Sequence, residues 1–242
     1  MTSSPAVPPI EADAILLAIQ PHRDDDLFVR ALVRGHGVLG LHVAKGRRPG
    51  RRNSGVLQPF ALGHLQADGR RILRRLDPLP VLGASRLARE PVRFWCAHLL
   101  AELALPLLHD GPGAPFDDLW RVFLELHARA TLVPVDFLAD ALGGLLRSAG
   151  VLAEPRTCAS CGADLMAPGQ GSELSPDGSF HCRACARDAA PWTPELLTRL
   201  GGDAPEAAVP VPREALGELV RVAEAFLGRP LLAWRDAGDW LP

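Results

Sequence analysis

Apolar and polar positions alternate along Val38–Ala44: Leu39, Leu41 and Val43 fall on one side of an extended chain and their neighbours on the other. That is the period of a half-buried strand. The same reading predicts strands over Asp13–Ile19, Leu27–Val33 and Val56–Leu65, with His36-Gly37 as a turn. Ala14–Leu17 also fits a helix. Asp68-Gly69 is a hairpin signal, and Arg70–Leu76 follows it. Its apolar positions Ile72, Leu73 and Leu76 fit a fifth strand or a helix. Four or five short strands separated by turns predict a small barrel or sandwich.

Beyond Pro91 the apolar spacing changes from two to three and four. Phe94–Leu108 reads as a helix, and Phe116, Leu119, Phe123 and Leu126 form an amphipathic stripe. Asp117 and Asp118 stand in the first turn of that stripe, where the helix dipole favours acids. Val135–Arg147 and Pro212–Leu227 are further helices, with Gly150 a stop for the former and Pro212 at an early helical position in the latter. Such stripes, Trp95 and Trp120 among them, pack on one another as a bundle core. The fold class expected is therefore α+β and multidomain.

Composition adds one asymmetry. The net charge of −2 conceals +6 over residues 1–90 and −8 over the remainder. A basic front half implies that this half is the part that meets a polyanion. No run of 18 apolar residues is present, so no membrane span is expected, and the first residues carry no secretory signature. The expected location is cytoplasmic, where thiols stay reduced.

The positive charge is concentrated just after Val43. Lys45, Arg47, Arg48, Arg51 and Arg52 are interleaved with Gly46, Pro49 and Gly50, and no acid intervenes before Phe60. Solvated surfaces usually mix signs, so this run points to phosphate-backbone binding. Arg70, Arg71, Arg74 and Arg75 join it on charge grounds alone. Asp24, Asp25 and Asp26 invite a Mg²⁺ site, but acids in a turn fan outward, and a solvated turn is the simpler reading. Phe28 and Phe60 are the main aromatics of the β region, which favours an electrostatic mode over base stacking.

Cys158-Ala-Ser-Cys161 and Cys182-Arg-Ala-Cys185 are two CxxC pairs 20 residues apart. Each pair folds as a tight turn aiming both sulfurs at one point, and two turns complete a tetrahedron around Zn²⁺. Four thiolates leave no coordination position for water, so the site is expected to be structural. Ala167–Gly178, between the pairs, reads as a mobile excursion of the zinc loop. His181 adjoins the cluster, and Cys96 reads as a buried small hydrophobe. There is no GxSxG, HExxH or Walker A sequence, and His42 and His64 read as histidines satisfied by the fold.

Taken in order, the motifs carry a resemblance. Gly37-Val-Leu-Gly, Val43-Ala-Lys-Gly-Arg-Arg and Leu57-Gln-Pro-Phe are followed by Ala97-His-Leu-Leu-Ala-Glu-Leu103 and Phe116-Asp-Asp-Leu. Then come Leu146-Arg-Ser-Ala-Gly150, Cys158-Ala-Ser-Cys-Gly and Phe226-Leu-Gly-Arg-Pro-Leu231. The chain resembles the RecO family of bacterial DNA repair and recombination-mediator proteins over roughly residues 12–235.

The resemblance implies an N-terminal OB-fold β-barrel and an α-helical domain with an inserted four-cysteine zinc element. Laid on this chain, it gives a flexible tail (1–12), the barrel (13–84), a first helical part (85–155), the zinc element (156–190) and a C-terminal helical part (191–242). It implies no catalytic site, binding of single- and double-stranded DNA, annealing of complementary strands, and loading of RecA with RecR. It also implies contact with the acidic tail of single-strand-binding protein. Lys45, Arg47 and Arg48 fall on the family's basic segment, and a DNA-contact role follows for them. His98 stands where the family often has Tyr. The alternative is a zinc-ribbon adaptor that contacts proteins and leaves the basic loop idle.

Overall fold

The structure, a computed structural model, describes residues 8–50, 55–80, 87, 89–108, 115–132, 134–187, 191–201 and 209–235. Among them the chain forms two compact units. One comprises residues 1–91 and 107–130, the other 92–106 and 131–242.

The first unit is built on five antiparallel strands: β1 (Ile10–His22), β2 (Asp26–Val33), β3 (Gly37–Val43), β4 (Leu62–Ala67) and β5 (Leu73–Pro78). Their order in the sheet is β3-β2-β1-β4-β5. β1 serves both neighbours, pairing with β2 over Ala14–His22 and with β4 over Ile10–Ile15. Its register slips between Leu16 and Ala18. A bulge of this kind bends a strand and raises its twist. The sheet curls until its two edges meet: His42 of β3 bridges Ile72 in parallel, and its N–H donates to the Arg71 carbonyl at 3.0 Å. The bridge joins edges that would otherwise be open to foreign strands.

Alternation decides what lies inside. Ala14 and Leu16, Val29, Ala31 and Val33, Leu39, Leu41 and Val43, Leu65, Ala67, Leu73 and Leu76 form one buried cluster. Each fully buried residue of Leu or Val size contributes about 1.5–3 kcal/mol. Helix α2 (Phe116–Ala128) lies against β4 in the same unit, with Phe60 and Phe123 rings 6.0 Å apart. Buried His127 pairs its Nε2 with the Phe60 carbonyl at 2.9 Å, and burial holds its pKa below the usual histidine range.

The expected fourth strand, Val56–Leu65, is corrected. Pairing begins only at Leu62, and the Leu57-Gln-Pro-Phe60 stretch is a turn. Phe60 takes a left-handed φ of 66°, and its N–H donates to the Leu16 carbonyl at 2.7 Å, which plugs this turn into the β1 bulge. Ala14–Leu17 is strand, not helix. The fifth element is likewise a strand, but it starts at Leu73, because Asp68–Ile72 is spent on the turn.

The second unit holds α1 (Pro91–Leu107), α3 (Pro134–Ser148), α4 (Pro194–Gly201), α5 (Arg213–Leu227) and α6 (Leu232–Arg235). α3 packs on α4 and α5. Gly150 follows α3 at a φ of 69°, as expected of a stop. Pro212 is the N-cap of α5, one position outside the helix, and its extended ψ of 146° explains why. Trp95 is half-buried and donates its indole N–H to the Ala233 carbonyl. The expected excursion Ala167–Gly178 is corrected from Ser172 onward. Residues 172–182 form the hairpin β6 (Ser172–Leu174) and β7 (Phe180–Cys182), with Leu174 and Phe180 buried. No helix among the described residues is long and apolar enough to cross a membrane.

Candidate nucleic-acid interface and metal centre

Three segments carrying cations meet around the end of β3. The first is the turn joining β1 to β2, in which the Asp26 N–H donates to the Arg23 carbonyl at 3.0 Å. The second is the loop leaving β3. Asp26 clasps it, accepting the Lys45 N–H at 2.7 Å on one oxygen and pairing with His42 Nε2 at 2.8 Å on the other. The Lys45 N–H first, then His42, hold the Asp26 carboxyl below the usual carboxylate range. Next along the loop, the Arg47 N–H donates to the Asp25 carbonyl at 2.9 Å, and its guanidinium to the Asp24 carbonyl at 3.3 Å. Arg48 forms an ion pair with Asp25.

The acidic triplet is thus the anchor of the basic loop. Among the described residues only the four cysteines form a group close enough to share a metal ion.

The third segment is the turn between β4 and β5. Asp68 Oδ1 accepts the N–H groups of Arg70 and Ile72 at 3.0 Å each, and Oδ2 pairs with Arg74 at 2.6 Å. These bonds, that of Ile72 foremost among the favourable ones, keep its carboxyl low. The barrel-closing bridge sets this turn beside His42, so Arg70 and Arg71 come to the strand end from which Lys45 departs.

Lys45, Arg47, Arg48, Arg70, Arg71 and Arg74 are exposed, and Arg75 is half-buried in an ion pair with Asp77. The Lys45 ammonium and the Arg70 guanidinium have no carboxylate partner among the described residues. Arg51 and Arg52 lie outside the described residues. The pairs that Arg48 and Arg74 make are surface pairs, worth about 0–1 kcal/mol, so exchanging an aspartate for a phosphate costs little. Phe60 is buried and offers no ring to a ligand. Arg34, which charge counting did not single out, is committed within the fold: it pairs with Asp13 and Asp117 and lies 4.4 Å over the Phe116 ring.

The metal centre belongs to the second unit. The sulfurs of Cys158, Cys161, Cys182 and Cys185 all lie within 4.8 Å of one another, and those of Cys161 and Cys182 are 3.7 Å apart. A tetrahedron with Zn–S arms of about 2.3 Å has edges of about 3.8 Å. The donor set therefore fits Zn²⁺ in type, number and separation.

Each pair sits in a knuckle. Gly162, at φ 75°, donates its N–H to the Cys158 carbonyl at 2.9 Å, and the Cys185 and Ala186 N–H groups donate to the Cys182 carbonyl at 2.8 Å. Burial pushes the Cys158 thiol up, yet N–H groups of Cys182, Cys161 and Ser160 outweigh it and bring it to about 6. The neighbouring thiols, Cys161 first, push Cys185 up to about 12. Four sulfurs this close cannot all ionise against one another, and a divalent cation removes the conflict.

Two residues that sequence reading missed tie this centre to the helices. Trp192 is 2% exposed and donates its indole N–H at 2.9 Å to Glu218, itself 3% exposed on α5. The same Glu218 oxygen accepts the Leu174 N–H of β6 at 2.8 Å. His181 is held by hydroxyls, with Ser160 at 2.9 Å and Ser179 at 3.1 Å. Cys96 is fully buried and its thiol is pushed up to about 12, which suits an inert core residue.

Comparison with known proteins adds a family signal. A family model described as Recombination protein O N terminal matches residues 8–82, the span of the five strands. A DNA repair protein RecO from Anaeromyxobacter sp. (strain Fw109-5) is 30% identical over 249 residues, covering 93% of this chain and 94% of that protein. Another, from Geobacter sulfurreducens, is 31% identical over 241 residues, covering 92% of this chain and 95% of the relative.

Proposed function

The chain belongs to the RecO family of DNA repair proteins, and from that premise we propose that it binds DNA through phosphates at the end of β3. The reading supported best is a non-enzymatic recombination mediator in the cytoplasm. It binds single- and double-stranded DNA, anneals complementary strands, and with RecR helps load RecA onto strands coated by single-strand-binding protein. The curled five-stranded sheet, its edges joined at His42 and Ile72, serves as the OB-fold barrel of that machine. Zn²⁺ in the four-cysteine centre holds the helical unit in shape and takes no part in chemistry.

One observation carries the DNA reading: barrel closure gathers Lys45, Arg47, Arg70 and Arg71, from two distant stretches of sequence, around one strand end. Cations grouped there lower the repulsion between two polyanions and let complementary strands meet.

The test is binding against salt. If about five phosphates are neutralised, log affinity falls against log salt with a slope near −3.5 on single strands. Charge reversal of Lys45, Arg47 and Arg70 to Glu is expected to abolish binding and annealing while the zinc content and fold survive. A wild-type chain that binds neither single-stranded nor duplex DNA would instead support the adaptor reading.

A further inference from the structure

We propose that the outer face of β1, β2 and β3 is a base-stacking platform for single-stranded DNA, centred on Phe28 and flanked by His22, Arg30 and His42. The inference rests on the DNA reading above and adds to it a contact to bases.

Phe28 pairs across the ladder with His42, and Arg30 with Gly40. These positions alternate with the buried Val29, Ala31, Leu39 and Leu41, so their side chains stand on the outside of the sheet. Gln20 and His22 of β1 and Arg30 of β2 are exposed, and Phe28, Gly40 and His42 are half-buried. The face is therefore open to solvent where the far end of the same strands, at Leu32 and Val38, is buried.

Gly40 explains how Phe28 lies. A Cβ at Gly40 would come 2.6 Å from Phe28 Cζ, so the tip of the ring occupies the space a side chain would fill. His22 extends the surface, its ring centroid 6.4 Å from Phe28 and 5.8 Å from His42.

Charge complementarity selects the occupant. Arg30 is exposed beside the ring, and Lys45 departs from the end of β3 just beyond His42. Two of the acids nearby are neutralised, Asp25 by Arg48 and Asp26 by His42 and the Lys45 N–H, while Asp24 meets Arg47 through its backbone carbonyl. An aromatic surface continuous with cations matches a strand whose phosphates track the charge while its bases stack. A duplex, its bases already stacked, gains nothing from the ring.

The experiment compares wild type with Phe28→Leu and Phe28→Trp on an oligo-dT strand, an abasic strand of equal length and a duplex. Leu keeps an apolar cover over Gly40 but has no π face. Phe28→Leu is expected to weaken oligo-dT binding about tenfold or more, leaving the salt slope, the abasic strand and the duplex unchanged. Phe28→Trp restores or exceeds wild-type affinity for oligo-dT. Equal oligo-dT binding by wild type and Phe28→Leu overturns the platform, as does an equal loss on all three ligands. Failure of wild type to bind any of the three overturns the DNA reading itself.

Discussion

The cationic end of the sheet and the four-cysteine centre are both held by loops, yet their loops are fixed by opposite means. Around the sulfurs one cysteine of each pair is buried, Cys158 and Cys182 at 3% and 4% exposed, with Glu218 and Trp192 as deep, while Cys161 is exposed and Cys185 half-buried. Around β3 the fixing groups are exposed ion pairs and backbone bonds, such as Arg48 with Asp25 and Arg47 N–H with the Asp25 carbonyl. Buried polar contacts are costly to break, whereas surface ion pairs exchange for little. One region is fixed by contacts that are costly to break, the other by pairs that exchange at little cost.

Removing the metal is the largest perturbation of this contrast. Cys158→Ser with Cys182→Ser, or treatment with a strong chelator, is expected to unfold the knuckles and the β6–β7 hairpin. Apparent binding energies of structural Zn²⁺ in small zinc peptides are about 10–16 kcal/mol. Bound zinc measured by mass spectrometry is expected at one ion per chain before treatment and none after. Oligonucleotide binding survives if the sheet unit holds its own cations in place. Its loss would show that the two regions are not independent.

Glu218 comes next. Leu in its place leaves the Trp192 indole N–H and the Leu174 N–H buried without an acceptor, at about 1–3 kcal/mol each. Both N–H groups use one carboxylate oxygen, so Glu218→Gln keeps that acceptor and is expected to be nearly neutral in urea unfolding. The pH dependence separates the variants further. Burial raises the Glu218 pKa, so folding disfavours its charged form relative to the unfolded chain. The protonated side chain contributes stability below its raised pKa, and that contribution is lost as pH rises through it. The amide of the Glu218→Gln variant cannot ionise, and the unfolding midpoint of that variant is expected to lack this dependence.

Legibility in the sequence follows the same division. The CxxC pairs are local, and their spacing alone named the four sulfurs that the fold brings within 4.8 Å of one another. Alternation found the first three strands because their inner residues have period two. It failed at Val56–Phe60, where an apolar run forms a turn that docks into the β1 bulge, a non-local contact that no window of sequence reveals. It missed Trp192 and Glu218 for the same reason, since the two lie 26 residues apart and Glu218 sits in a helix that otherwise looks amphipathic. The cation run itself was plain, but not the acids that hold it. Asp25 and Asp26 lie more than 15 residues upstream and meet it only through the β2–β3 hairpin.

The third perturbation acts on the turn at Asp68. Asp68→Ala removes the acceptor for two backbone N–H groups and the partner of Arg74. The side chain is solvated enough that water replaces part of what is lost. The expected outcome is a modest fall in stability, together with faster amide exchange at Ile72 and at the bridging His42. Because hydrogen bonds keep the Asp68 carboxyl below its ordinary range, its contribution is present at neutral pH and fades as pH falls below about 4. The Ala variant is expected to lose that acid-side dependence while zinc binding stays unchanged.

The smallest effect is the sharpest test of the exchangeable region. Asp25→Asn frees Arg48 from its ion pair without loosening the loop, because the Arg47 N–H is held by the Asp25 backbone carbonyl and Lys45 by Asp26. Stability is expected to change by less than about 1 kcal/mol, as for other exposed pairs. Affinity for single-stranded DNA at low salt is expected to rise a few-fold. If Arg48 already leaves Asp25 for a phosphate in the wild-type complex, the salt slope stays the same and only the exchange cost disappears. If it stays with Asp25 in that complex, the variant gains a contact and the slope steepens by about 0.7. Affinity that does not rise at all would mean that Arg48 faces no phosphate, and the interface would then rest on Lys45, Arg47, Arg70 and Arg71 without it.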